Sequence, residues 1–131
     1  MTSGWRRLAD QWLRLAHQDL ELARLARDSS SIADDAFGAR VQGAIEKALK
    51  AVVATRGQLP PPTHDLPRLL QLTAIEQHPF DLDALDELAA YHGAGVQPGW
   101  PSPPRRLDRR LALSHGLEAA RWAAGLVQLT D

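Results

Sequence analysis

Apolar residues recur at the spacing of an α-helix along most of this 131-residue chain. Between Trp5 and Arg27 this spacing predicts a first helix. A second helix is predicted from Ala33 to Arg56, a stretch without proline. The apolar stripe of the first helix comprises Trp5, Leu8, Trp12, Leu15, Ala16, Leu20 and Ala23, and that of the second Phe37, Val41, Ala44, Ala48 and Val52. No segment alternates with a period of two for long enough to predict a sheet.

Glycine and proline mark the ends of the remaining elements. Gly57 and the following Pro60–Pro62 run stop the second helix. Thr63 or Asp65 can cap a short third helix, because Pro67 would still lie in its first turn. A fourth helix is predicted over Asp81–His92, where an acidic first turn suits the helix dipole.

The segment Gly93–Pro104 is rich in glycine and proline and is predicted to be a loop. Ser102 and Pro103 then suit the N-cap and first position of a last long helix that ends near Leu129. Its apolar stripe would comprise Leu107, Leu111, Trp122, Leu126 and Leu129. We therefore expect a single all-α domain over residues 1–131, an up-and-down bundle of about five helices, three long and two short.

The composition excludes several classes of protein. Lys and Arg number 15 against 16 Asp and Glu, so the net charge of −1 gives no overall attraction to nucleic acid. The absence of cysteine excludes disulfides and thiolate chemistry and fits a reducing compartment. No apolar run approaches the ~20 residues of a membrane span, and the first residues do not resemble a signal peptide. We expect a cytoplasmic protein with no membrane contact.

A carboxylate interrupts the apolar stripe of the first helix. Asp19 falls in the middle of that stripe, where a charge is costly to bury unless it is paired. Arg40 and Lys47 lie together at one edge of the second helix's apolar face, and either could neutralise it. The pattern leaves two interpretations, an internal salt bridge or a polar cleft between the helices.

The second helix carries further polar positions. Glu46 and Lys50 are one turn apart and could form an ordinary surface pair. Gly43, which costs roughly 1 kcal/mol relative to alanine in mid-helix, indicates either a close approach by another group or simple tolerance.

The last helix contains an isolated histidine. His115 lies near the centre of its predicted apolar stripe, where a core residue is the ordinary interpretation. Arg110 points about 140° away around a continuous helix, so the two side chains would not converge within one chain. The arginines of the Pro103–Arg110 run form either a solvated face or an anion site. The five histidines show no metal-ligand spacing along one helical face, so no metal is expected.

Three segments in order resemble the HEPN domain, a small helical domain found in prokaryotes and higher eukaryotes. They are "LAHQDLELARLA" (Leu15–Ala26), "VQGAIEKALKAVVATRG" (Val41–Gly57) and "PPTHDLPRLL" (Pro61–Leu70). The resemblance extends from the first helix to the fourth. It implies a ligand-binding set in this chain that comprises Asp19, Lys47, Lys50, His64 and Asp65, with Glu46 beside them.

The resemblance implies two different functions. Members of the most similar subgroup accompany a minimal nucleotidyltransferase in pairs of the toxin–antitoxin kind. They are thought to supply the nucleotide- or substrate-binding half of a dimeric assembly. On that basis we expect a homodimeric nucleotide-binding subunit without catalysis or cofactor of its own. A wide apolar face on the second helix leaves room for the dimer interface.

Other HEPN members are metal-independent ribonucleases in which an Arg and a His from each of two subunits meet at the interface. Arg110 and His115 fit that spacing, as does Arg109, and would serve as the catalytic pair of an endoribonuclease toxin. Leu111 departs from that pattern, since a polar residue usually follows the arginine. A third interpretation keeps only a dimerising scaffold.

Three further positions depart from the subgroup. Where its members tend to carry Arg-Tyr-Pro, this chain has Val96, Gln97 and Pro98, and Gly43 stands where glutamine is common. This chain therefore lacks the arginine and the tyrosine that a ligand contact or an activity of that kind would use.

Overall fold

Five α-helices make up the fold of this protein in a computed structural model that describes residues 3–93, 99 and 106–129. They are α1 (Ser3–Ala26), α2 (Asp34–Thr55), α3 (Leu66–Thr73), α4 (Leu82–Ala89) and α5 (Arg109–Leu129). Those residues contain no strand, so the prediction of an all-α bundle with three long and two short helices is confirmed. None of their helices has the length and apolar character that crossing a membrane requires.

The centre of the bundle is α2, which packs against all four other helices. The predicted face Phe37, Val41, Ala44, Ala48 and Val52 is confirmed, since each of these residues is at most 1% exposed. Burial extends around much of the helix and includes the polar residues Gln42, Glu46 and Lys50. The apolar face of α2 is therefore used inside the chain, and the expectation that it supplies a dimer interface is wrong.

The helix ends follow local chemistry with some departures from the prediction. Gly57, at a φ of 73°, ends α2, and Asp65 caps α3 by accepting a hydrogen bond from the Arg68 amide. Asp81 caps α4 in the same way, but α4 ends at Ala89 and is shorter than predicted. The N-cap of α2 is Ala33, without a side-chain hydrogen bond.

Two predicted helix faces differ from the observed ones. In α1 the buried apolar residues include Ala9 and Leu13, whereas Leu15 is 40% exposed. In α5 the buried residues are mostly small: Ala112, Leu113, Gly116, Ala119, Ala120, Ala123 and Val127. The predicted stripe of the last helix is correct only in part, since Leu107, Trp122 and Leu126 are partly buried against the core, whereas Leu111 is 54% and Leu129 is 83% exposed.

The predicted start of α5 is also wrong. The helix begins at Arg109, and Asp108 accepts a hydrogen bond of 3.1 Å from the Leu111 amide at its first turn. Ser102 and Pro103, the predicted cap, lie outside the described residues, as do Val96, Gln97 and Pro98.

Arg109 connects the first helix to the last. Its Nε donates to Asp34 at 2.8 Å, and its Nη1 lies 3.0 Å from the carbonyl oxygens of both Ala26 and Ser29. Nη2 donates to the carbonyl of Ile32. The guanidinium therefore holds the last residue of α1 and the segment after it together with the first residue of α2, which makes Arg109 a structural residue.

Candidate functional site

A cleft of about 580 Å³ opens between α1, α2 and the segments around α3 and α4. Its charged and imidazole side chains come from separate elements. They are Asp19 from α1, Arg40, Glu46 and Lys47 from α2, His64 from the segment before α3, and His92 from the segment after α4. Gln42, Gly43 and Gly93 complete the polar part of the lining, and we call this site the polar cleft.

Asp19 is buried at one side of the polar cleft, with only 5% of its surface exposed. It accepts hydrogen bonds from Lys47 Nζ and, at 3.3 Å, from Arg40 Nη1. The predicted neutralisation of Asp19 is therefore confirmed, and the salt bridge and the cleft occur together. Gly43 makes this possible, because a Cβ there would lie 2.8 Å from Asp19 Oδ2.

Glu46 lies at the floor of the cleft and is bonded on all sides. Oε1 accepts from Gln42 Nε2 at 3.0 Å and lies 2.8 Å from His64 Nδ1, while Oε2 accepts from Lys50 Nζ at 2.9 Å. Burial acts to raise the pKa of Glu46, but the hydrogen bonds from Lys50, Gln42 and His64 outweigh it and lower that pKa below the ordinary value. The carboxylate is therefore held ionised.

Two histidines that line the polar cleft stack on each other. The rings of His64 and His92 lie 3.5 Å apart between centroids with an interplanar angle of 15°. Burial, followed by the neighbouring His64, lowers the pKa of His92, so this imidazole is neutral at neutral pH. Together with Glu46 the pair offers one ligand atom from each residue, and these three atoms lie within 4.8 Å of one another.

Two of the residues expected to bind a ligand do not line the cleft. Lys50 is buried beneath it, paired with Glu46, and its Nζ lies 5.1 Å from the centroid of the Trp12 ring. Asp65 is exposed and caps α3. Both residues support the cleft from outside it, Lys50 through Glu46 and Asp65 by fixing the start of α3 next to His64.

Arg110 and His115 do not come together within one chain. His115 lines a different cavity, of about 480 Å³, together with apolar residues such as Leu88, Leu111 and Tyr91. Arg110 is exposed and does not line that cavity. The continuous helix α5 keeps the two side chains apart, as their spacing predicts.

Sequence reasoning did not select Arg40 or His92 as binding residues. Arg40 was considered only as a partner for Asp19. His92 is 28 residues from His64 and 46 from Glu46, so no local spacing connects it with either. Its position at the end of the fourth predicted helix is the one available signal.

The fold and the site together define a small all-α domain in which charged side chains converge on a cleft between helices. Residues 9–93 match the model of the HEPN domain, and the chain belongs to the HEPN family. Comparisons with curated proteins and with solved structures found no match. The matched residues include the whole lining of the polar cleft, whereas Arg110 and His115 lie beyond them.

Proposed function

We propose that this HEPN-domain protein is a nucleotide-binding accessory subunit that acts with a separate minimal nucleotidyltransferase, and that the polar cleft receives the nucleotide. The proposal rests on one observation. Three residues that the family resemblance implicates, Asp19, Lys47 and His64, converge on this cleft from three different segments of the chain.

The side chains of the cleft suit the parts of a nucleotide. Arg40 and Lys47 are fixed by Asp19, yet their side chains are 55% and 26% exposed, so both cations remain accessible to a phosphate group. The side chain of His64 is 48% exposed and stacked on His92, and its ring provides an aromatic platform for a base. A nucleotide would thus place its phosphates at Arg40 and Lys47 and its base on His64 within the same cleft.

The same geometry favours binding over catalysis. A general base works best when its pKa lies near the operating pH. The pKa of Glu46 is lowered instead, and its oxygens are already bonded to Gln42, His64 and Lys50. Asp19 is likewise occupied by two cations. These groups are suited to orienting a ligand while the partner enzyme performs the transfer.

Calorimetric titration with the four ribonucleoside triphosphates tests this proposal. We expect the wild type to bind at least one of them, and Arg40→Ala and Lys47→Ala each to weaken the binding about tenfold, which corresponds to loss of one charge-assisted contact of about 1.4 kcal/mol. Asp19 keeps one cation in each variant, so both should fold. Arg121→Ala, at an exposed position of α5, is the matched control and should bind like the wild type. Absence of binding in the wild type would contradict the proposal.

Incubation of purified protein with total RNA in EDTA separates this proposal from the ribonuclease alternative. We expect the RNA to stay intact with the wild type and with His115→Ala. Cleavage by the wild type that is lost in His115→Ala would replace our proposal with a metal-independent ribonuclease. Intact RNA combined with no nucleotide binding would favour a dimerising scaffold.

A further inference from the structure

We propose that Glu46, His64 and His92 form a binding site for a divalent transition-metal ion of the Zn²⁺ class. Two imidazoles and one carboxylate are a ligand set that such ions accept, usually with water in the remaining position. The proposal does not depend on nucleotide binding, because the three residues would hold the ion by themselves.

The distances between the ligand atoms suit a small metal ion. One atom from each residue lies within 4.8 Å of the other two. With metal–ligand bonds of about 2.0–2.1 Å, neighbouring ligands in a tetrahedral site lie roughly 3.3 Å apart. Closing that difference takes side-chain rotation without movement of the helices.

Glu46 is the fixed member of the site. Its backbone belongs to the central helix, and its side chain is only 8% exposed. Gln42 and Lys50 hold the carboxylate in one orientation, in the way that hydrogen-bonded outer groups orient ligands in metal sites. Lys50 binds Oε2, whereas Oε1 accepts from Gln42 and lies 2.8 Å from His64 Nδ1, so Oε1 is the oxygen that would bind an ion held beside His64.

The two histidines are the adjustable members. Their rings are nearly parallel at 3.5 Å, and two parallel rings cannot both direct a nitrogen lone pair at one ion. One ring must therefore turn about its Cβ–Cγ bond, a torsion with a broad energy profile. His64 is half-exposed beside the polar cleft and has the room to turn.

A metal bound here would add a function to the polar cleft. All three ligands line it, so the open coordination position would face the space that Arg40 and Lys47 also border. A water molecule or an anionic oxygen could occupy that position. The chain would then recognise a ligand oxygen by a metal ion as well as by its two cations.

The test is titration of Zn²⁺ into tag-free, EDTA-stripped full chain by calorimetry, without nucleotide. We expect one ion per chain, and at least about tenfold weaker binding in both His64→Ala and His92→Ala. His17→Ala, an exposed histidine on α1, is the matched control and should bind like the wild type.

Two further measurements distinguish loss of the metal site from misfolding of a variant. Melting temperatures in EDTA should show that each variant is folded, and Zn²⁺ should raise the Tm of the wild type but not of the two variants. Co²⁺ absorption should report a nitrogen- and oxygen-ligated ion in the wild type alone. Absence of Zn²⁺ binding, or equal affinity in the wild type and both folded variants, would overturn the proposal. Because no nucleotide is present, failure of the nucleotide titration leaves this result unaffected.

Discussion

Gly38 of α2 lies directly against the ring of Tyr91, a residue that is only 4% exposed. A Cβ at position 38 would lie 2.3–2.7 Å from three ring atoms of Tyr91, far inside van der Waals contact. The missing side chain therefore lets the segment after α4 pack onto α2, one residue before His92.

Gly38→Ala should consequently destabilise the protein. Alanine gains about 1 kcal/mol in helix propensity, but displacing a buried ring costs more, and we expect a net loss of about 2 kcal/mol in the free energy of unfolding. Urea denaturation measures it. Gly125→Ala in α5 is the matched control, since no atom from elsewhere in the described part of the chain lies within 4 Å of its new Cβ, and it should stabilise by about 0.5–1 kcal/mol. Equal effects of the two changes would refute the packing argument.

The acid stability of the fold should depend on Glu46. Because the pKa of Glu46 is lower in the folded chain than its ordinary value of 4.5, the group stabilises the fold at pH values above that value. This contribution disappears as the pH falls below 4.5 and through the lowered folded pKa. Glu46→Gln leaves Lys50 buried without its carboxylate and should cost about 3 kcal/mol at pH 7.

Unfolding free energies measured from pH 7 to pH 3 provide the check. The gap between wild type and Glu46→Gln should narrow below pH 4.5, whereas Glu118→Gln, at an exposed position of α5, should follow the wild type throughout. A gap that keeps the same size across this range would show that ionisation of Glu46 does not contribute.

Residues differ in how far the sequence alone predicts their roles. Asp19 is recognisable because a carboxylate in an apolar stripe needs a partner, and its pairing with Lys47 is confirmed. The meeting of His92 with His64 depends on how α3 and α4 pack onto α2, which no local pattern encodes. Lys50 was expected at the ligand, but its spacing cannot distinguish a cleft-lining lysine from one buried beneath it.

At the scale of helices, the presence of each helix was easier to predict than the face that it buries. The large residues of α5 suggested a core stripe, yet the helix buries its small residues because these permit close approach to α1 and α2. Gly116 shows this directly, since a Cβ there would lie 2.8 Å from Leu20 Cδ2 and 3.5 Å from Val41 Cγ1. Choosing the face by its large apolar residues therefore found only residues at the edge of the core, such as Trp122 and Leu126, and missed the small residues at its centre. The period and the end of the helix near Leu129 were predicted correctly.

Arg109 should be the most sensitive arginine of α5. Arg109→Ala removes the hydrogen bonds to Asp34 and to the carbonyls after α1, and we expect a loss of about 3 kcal/mol in unfolding free energy. Arg109→Lys should recover only part of it, because one ammonium cannot reach the same set of acceptors. Thermal and urea denaturation measure both. Arg121→Ala should change stability by less than about 0.5 kcal/mol, and an equal effect at the two positions would contradict this role.

At the scale of the whole molecule, the number and class of the helices followed from periodicity and from the positions of glycine and proline. Oligomeric state does not follow from these patterns. Since α2 is covered within the chain, a homodimer needs another apolar surface. One is available on α1, where Leu15, Leu22 and Leu25 are 40%, 46% and 66% exposed.

We expect light scattering to give twice the mass of the chain, in line with the proposed dimeric assembly. A Leu22→Glu, Leu25→Glu double variant leaves the core intact, and we expect it to be monomeric because two charges would be buried in the interface. Gln128→Glu on α5 adds a charge elsewhere and should remain dimeric. A monomeric wild type would refute the dimer, and a dimeric double variant would exclude this surface.

The connection made by Arg109 also bears on how the chain folds while it is synthesised. The guanidinium bonds to carbonyl oxygens 80–83 residues earlier in the chain, at Ser29 and Ala26. On the ribosome, those carbonyls leave the exit tunnel long before Arg109 is translated, and until then water takes the place of the guanidinium, while the Ser29 amide can already donate to the Ala26 carbonyl. The hydrogen bonds of Arg109 at the end of α1 therefore form last. A nascent chain halted before residue 109 would contain every residue of the polar cleft but would lack α5.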